Sequence, residues 1–470
     1  MHRFARLTAL PAATIVGSAI AAASLCGGHA RADAPPSSGL ASGGAVSDTD
    51  AQAEQWFKRG QAADRAKDAA RNPAEAAHWY RQAADRRHAP AQTALGLLLV
   101  RGEGVTAAPA KGIAYLEAAA NAGHAPAMTG LGIVHVEGTG VPKDVIRGAA
   151  WLREAADAGD AAGRVTLAAM YEEGLGVQQD FEAARRLYGQ AERQGSGEAM
   201  HALGVMHQYG RGMKADPVTA IRYFNRSAKL GVTASMHALG DMHERGHGVP
   251  RDLHAAAAHY TKAAELGHAP SQNNLGLIFL SAEGSPANHA AAKRWLVAAA
   301  EQDVPQAQHA LGRMHLDGRG LPVDESVAAT WISRAAEQGF VPAQIDFALM
   351  HAEGKGVDKN LVLAGNWYEE AAGRGHPTAR IRIGQMHEHG LGGRSVDPVT
   401  ALAWYELASE GGDADATKKH RVLAQRMTLE ERRSVIARKI ALAQPGSPTT
   451  REAPVTTSYV AVPGDDRPDR

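Results

Sequence analysis

The chain repeats itself every 36 residues. The run AMHALGVMHQYGRGMKAD that begins at Ala199 returns as SMHALGDMHERGHGVPRD beginning at Ser235. Leu203-Gly204 becomes Leu239-Gly240, and the same register holds Gly96, Gly132, Gly276, Gly312 and Gly384, with Ala168 and Ala348 at the two remaining positions. A unit of this length is one supersecondary element, too small to bury its apolar face alone, so it must stack on copies of itself. The 470 residues would otherwise suggest about three globular domains. An elongated array replaces that count.

The units run 55–90, 91–126, 127–162, 163–198, 199–234, 235–270, 271–306, 307–342, 343–378 and 379–415. The first is degenerate, the last is one residue longer, and the array as a whole covers 51–415. Within a unit, Ala199, Leu203 and Met206 are spaced four and then three apart, one stripe of a helix, helix A. A Gly-x-Gly pair such as Gly210 and Gly212 ends it, since glycine accepts the left-handed backbone of a helix terminus. Asp144, Asp180, Asp216, Asp252, Asp324 and Asp397 then precede the next apolar run, where a carboxylate caps free amides and opens helix B. A large residue follows in register at Trp79, Tyr115, Trp151, Leu187, Tyr223, His259, Trp295, Trp331, Trp367 and Trp404. These are expected to anchor the core. Paired alanines such as Ala155-Ala156 let helices approach, and glycines such as Gly159 and Gly231 end helix B.

The ends differ from the array. Arg3 and Arg6 precede an apolar run over 7–25, and Ala30-Arg31-Ala32 offers a small-x-small cleavage pattern, so 1–32 is expected to be a signal peptide cut after Ala32. That places the mature chain in the periplasm or outside the cell. Cys26, the only cysteine, lies inside this segment behind Leu25 where a lipoprotein signal wants a small residue. Its removal leaves no thiol for a disulfide, a nucleophile or a metal. The mature chain would hold 47 basic and 50 acidic side chains, a formal −3, which indicates no basic face for nucleic acid or acidic lipid. Residues 33–50 are expected to be a flexible linker and 444–470 a disordered tail. Between array and tail, 416–443 is expected to cap the last repeat, with a capping box at Thr428 and Glu431 ahead of Val435, Ile436, Ile440 and Leu442.

The pattern Ala127, Leu131-Gly132, Gly138-x-Gly140-Val141, Asp144, Ala149, Trp151-Leu152, Ala155-Ala156 and Gly159 resembles the Sel1-like repeat, a relative of the tetratricopeptide repeat. The resemblance spans about 55–415. It implies an all-α, right-handed solenoid of about ten 36-residue helix-turn-helix repeats, acting as an adaptor for protein partners along a concave helix-A surface. Some cysteine-rich members are linked to β-lactam binding, and this chain lacks those cysteines. Three residues after the Leu-Gly glycine, where the family usually carries tyrosine, this chain mostly has histidine.

That column is His135, His207, His243, His315, His351 and His387. It invites a pH or metal role. Packing is the stronger expectation, because neighbouring copies lie one repeat apart, roughly 10 Å by helix packing, whereas zinc ligands sit about 2 Å from one ion. His243-Glu244-Arg245-Gly246-His247 spells H-E-x-x-H, but Gly246 should end the helix and put His247 off its face. No nucleophile elbow, carboxylate pair or phosphate loop stands out. The sequence therefore points to a non-catalytic scaffold with no cofactor. Partner contacts are expected on the solvent side of helix A, at Glu172, Glu173, His201, Gln208, Tyr209, Glu244, Arg245, Asp317, Glu353 and Glu388. Protein is the expected partner, and nucleic acid and stable membrane insertion are not expected. Other readings are an envelope hydrolase or β-lactam-binding protein, and an exopolysaccharide-export scaffold with glycan as ligand.

Overall fold

The computed structural model describes residues 48–65, 71–281 and 286–443. The proposed signal peptide, almost all of the proposed linker and the proposed tail lie outside them. The described residues form 22 α-helices, from Asp48–Arg65 to Leu429–Ala443. They alternate as A and B helices of an all-α solenoid, most of them 13 residues long, as in Gly197–Tyr209 and Pro217–Lys229. The Asp48–Arg65 helix supplies the A helix of the first pair, with Gly60 in the Leu-Gly register.

Local chemistry accounts for the hairpin. Gly210 takes φ 69° and its N–H donates to the Met206 carbonyl, closing helix A. The Asp216 N–H donates to the His207 carbonyl at 2.7 Å, folding the turn back on the helix it left. The Asp216 carboxylate then accepts from the Thr219 N–H at 3.1 Å and caps helix B. The same pair of bonds recurs at Asp144 and Asp324, and Asn360 replaces the aspartate in one repeat.

The second glycine of each Gly-x-Gly pair has a separate role. A Cβ on Gly248 would stand 2.7 Å from Pro217 Cβ, and one on Gly212 would meet Phe181. Pro217 and Phe181 begin the B helices of the preceding repeats. This glycine therefore sits on the seam between repeats, and the first one alone ends the helix.

The mid-helix glycine is explained by what faces it. A Cβ on Gly204 would come within 2.6 Å of Phe224 Cε1, and one on Gly132 within 2.5 Å of Leu152 Cγ. Gly276 meets Leu296, Gly312 meets Ile332 and Gly384 meets Tyr405 in the same way. Glycine costs about 1 kcal/mol in helix propensity, and here it allows a large helix-B side chain to lie against the helix-A backbone.

This shifts the expected anchor column by one residue, although Leu187, Trp295 and Trp404 of that column are buried as well. The fully buried side chains of helix B are Leu116, Leu152, Tyr188, Phe224, Tyr260, Leu296, Ile332 and Tyr405, each one position after the expected column. Tyr115, Trp151, Tyr223, Trp331 and Trp367 are half-buried. A step of about 100° takes them from the centre of the stripe to its edge. Rings of this column take cations on their faces: Arg294 lies 4.6 Å from the buried Trp295 ring, Arg334 5.0 Å from Trp331 and Arg226 5.8 Å from Tyr223.

Packing divides the chain into two compact units, the first ending at His259 and the second beginning at Tyr260. In the first, small clusters follow one another along the repeats; one joins Leu152, Leu167, Tyr188, Leu203 and Met206. In the second, Leu296, Leu311 and Met314 form one such cluster, and Tyr405, Leu423 and Val435 form the last. A glutamine ladder runs through the second unit. Gln308 donates to the Ala300 carbonyl at 3.1 Å, closing a helix-B terminus, and accepts from Gln338 at 2.8 Å; Gln272 and Gln302 repeat the arrangement.

Two helices, Ala414–Arg426 and Leu429–Ala443, follow the last hairpin. The Thr428 N–H donates to Glu431 at 2.7 Å and the Glu431 N–H returns to Thr428 Oγ1 at 3.3 Å. Val435 is buried and Leu442 packs against the last clusters. Ile436 and Ile440, expected to help cover the array, face solvent instead.

Candidate functional site: the exposed face of the A helices

Helix A buries the stripe of its leucine, glycine and methionine; Ala125–Glu137 and Ala161–Glu173 are buried over most of their surface, whereas from Gly197–Tyr209 onward the other side is more open. The residue just before the first turn glycine is the most open. Tyr209 is 62 % exposed, and Glu173, Arg245, Asp317 and Glu353 occupy the same position in other repeats. Their charges are partly engaged: Arg245 donates to Asp241 at 2.6 Å, and Lys355 pairs with Glu353 at 2.6 Å.

Glu172 does not belong to this surface. Only 3 % exposed, it accepts from the Tyr188 hydroxyl at 3.2 Å and from Arg211 at 2.7 Å. Arg211 sits between the two turn glycines of the next repeat, so the pair ties adjacent repeats together. Burial, and after it the Glu172 charge, pushes the Tyr188 phenol well above its usual range. Glu388 stands at the equivalent place and accepts from the Tyr405 hydroxyl at 2.8 Å. Both carboxylates face the partner helix because they lie one residue inward of the open position. Gln208 and Glu244, at the same position, are half-buried.

His201 is half-buried as well. Its Nδ1 lies 2.9 Å from Ser235 Oγ, and its ring is 5.5 Å from Phe224. Ser235 in turn donates to Ser227 at 2.7 Å, and Ser227 to the Gly197 carbonyl at 2.7 Å. This chain of hydroxyls is buried and joins two repeats.

In the second unit the structure assembles a group that the sequence reading did not single out. His309 Nε2 lies 2.8 Å from Asp346, and Arg313 reaches both Asp317 at 3.2 Å and Asp346 at 3.5 Å. Of these only Asp317 was expected. The signal lay in the spacing of His309, Arg313 and Asp317, four residues apart on one face. Leu277 and Leu349, at the same helix position as Arg313, are 38 % and 36 % exposed.

The histidine column packs against helix B. The His207 ring stacks on Tyr223 with centroids 5.5 Å apart, and His243 on His259 at 5.4 Å. His135 is 5 % exposed. Burial lowers the pKa of His135, His315, His351 and His387. Among the described residues no three His, Cys, Asp or Glu side chains converge as a metal site would need. The H-E-x-x-H string is broken as its glycine implies: the helix ends at Arg245, and Gly246 takes φ 72°.

The family comparison agrees with this architecture. The family described as Sel1 repeat matches at 65–88, 89–124, 125–160, 166–196, 197–232, 233–268, 269–304, 305–340, 341–376 and 377–413. No curated protein matches. Among solved structures, c5321, a protective antigen present in uropathogenic Escherichia coli strains displaying an SLR fold, is 26 % identical; the match covers 84 % of this chain and 92 % of that one, with a TM-score of 0.45. A Sel1 repeat protein from Oxalobacter formigenes is 23 % identical over 52 % of this chain and 96 % of that one, with a TM-score of 0.46. Sel1 repeat proteins generally mediate protein–protein interaction. Ten matched stretches, in phase with the hairpins seen here, cover most of the array: the chain belongs to the Sel1 repeat family.

Proposed function

We propose that this chain is a non-catalytic scaffold of the bacterial envelope that receives a segment of another protein on the exposed face of its A helices. One observation carries this reading. The buried helix-A position opposite helix B holds glycine or alanine in every repeat. One residue further on, the position is buried at Ile133 and Ala169 but half-open or exposed from the fifth repeat onward, and there the side chain varies: Val205, Asp241, Leu277, Arg313, Leu349 and Gln385. A face of that kind offers a different contact at every step, which suits an extended or helical protein segment.

A photo-crosslinker at Tyr209 or Glu173, both exposed on A helices of the first unit, should trap the same protein partner, and one at Ile146, exposed on a B helix of that unit, should not. Equal trapping at all three positions would count against the helix-A face. Export is part of the proposal, supported by the charged, apolar and small-residue order of 1–32. A mature N-terminus at Asp33 in a periplasmic fraction is the expected result. Turnover of nitrocefin or peptidoglycan by pure protein would favour the hydrolase reading instead.

A further inference from the structure

We propose that the outer face of the last helix, Leu429–Ala443, docks the protein on a membrane surface rich in anionic lipid. Leu429, Ile436 and Ile440 are 60 %, 63 % and 55 % exposed. At 100° per residue they fall within an arc of about 40°, with exposed Arg432 on one side and exposed Arg433 on the other. An apolar strip edged by cations is the form of a helix that lies in the headgroup plane, its apolar side facing the acyl chains.

The surroundings strengthen the match. Residues 414–443 hold eight Lys or Arg and three Asp or Glu, a local +5 that the remaining 42 basic and 47 acidic side chains offset to a total of 50 against 50. The near-neutral total thus concealed a basic patch. Val435 is buried on the inner side, Leu442 packs against the array, and Lys439 is held by Glu406 at 2.7 Å and Glu410 at 2.6 Å. The helix is therefore formed and oriented before it meets a surface, so docking carries little ordering cost. Nothing among the described residues is long and apolar enough to cross a membrane, which fits in-plane contact. A second copy of the chain suits the strip less well, because pairing two such faces would bring arginine against arginine.

The test is flotation of the purified chain with vesicles of equal parts phosphatidylglycerol and phosphatidylcholine, and with phosphatidylcholine alone. The chain should float with the first and bind the second about thirtyfold more weakly, as expected for two arginines at an anionic surface. The double variant Ile436→Ser/Ile440→Ser, and separately Arg432→Gln/Arg433→Gln, should each weaken binding to the anionic vesicles about tenfold or more. Both leave buried contacts intact, so unchanged thermal unfolding is the control for folding. Failure to float with the anionic vesicles, or variants that float like the native chain, would overturn the proposal. So would a native dimer dispersed by the isoleucine variant in the absence of lipid binding.

Discussion

At the scale of single residues, the position opposite the buried helix-B side chain decides how close two helices stand. Gly204 is the case to test. A methyl there would come within 2.6 Å of Phe224, so Gly204→Ala should cost about 1 kcal/mol of stability as the ring shifts. Gly204→Leu, with no space to enter, should cost more than about 3 kcal/mol. Equal denaturation midpoints for the two variants would remove the packing explanation. Ala168 and Ala348 hold this position opposite Tyr188 and Tyr368, so the site admits a methyl where its surroundings have adjusted. The glycine column was legible in the sequence as a register, and its cause was not, because the residue it faces lies 20 positions on in another helix. Glu172 was misplaced for a similar reason. Its partner Arg211 arrives from the next repeat's turn, and no local pattern announces that contact.

At the scale of elements, caps and turn glycines gave helix limits, whereas the buried stripe of helix B was read from its loudest residue, tryptophan. The true stripe follows Ala220, Phe224 and Ser227, four and then three apart, all fully buried. Large rings lie beside it because they can cover a seam while presenting a face to arginine. Four histidines of the column that lose water on folding make the hairpins sensitive to acid. Burial holds His135, His315, His351 and His387 below their ordinary pKa of 6.5, so the unfolded chain takes up protons at a higher pH than the folded one. Their contribution to stability is present above about pH 6.5 and declines as the pH falls through that value toward the folded pKa. The melting temperature should therefore drop between pH 7.5 and 5.5. His135→Leu, which copies Leu99 in the same column, should reduce that drop. A melting temperature that is flat or rising on acidification would exclude the effect.

At the scale of the whole molecule, stability is a sum of neighbour contacts, so the ends matter most. The final pair of helices covers Trp404, Leu407 and Tyr405 with Leu423, Val435 and Leu442. A chain ending at Asp413 should melt several degrees lower than the full chain and aggregate on heating, which light scattering during a thermal scan would show. Unchanged melting would mean that the last repeat closes itself. The sequence made the array and its cap legible through period and capping box; it left open which side of the cap faced outward, because Val435, Ile436 and Ile440 look alike until their neighbours are known.

The last turn of the array is one residue longer than the others, with Gly392 and Gly393 both at positive φ. The surplus is absorbed there: Asp397 still donates its N–H to the His387 carbonyl at 2.8 Å, and Tyr405 still lies against Gly384. Chain length in this loop is thus uncoupled from the interior on either side. An epitope or fluorophore-binding peptide grafted after Gly393 would ride on the scaffold as passive cargo, at about 0.6 kcal/mol for each doubling of loop length.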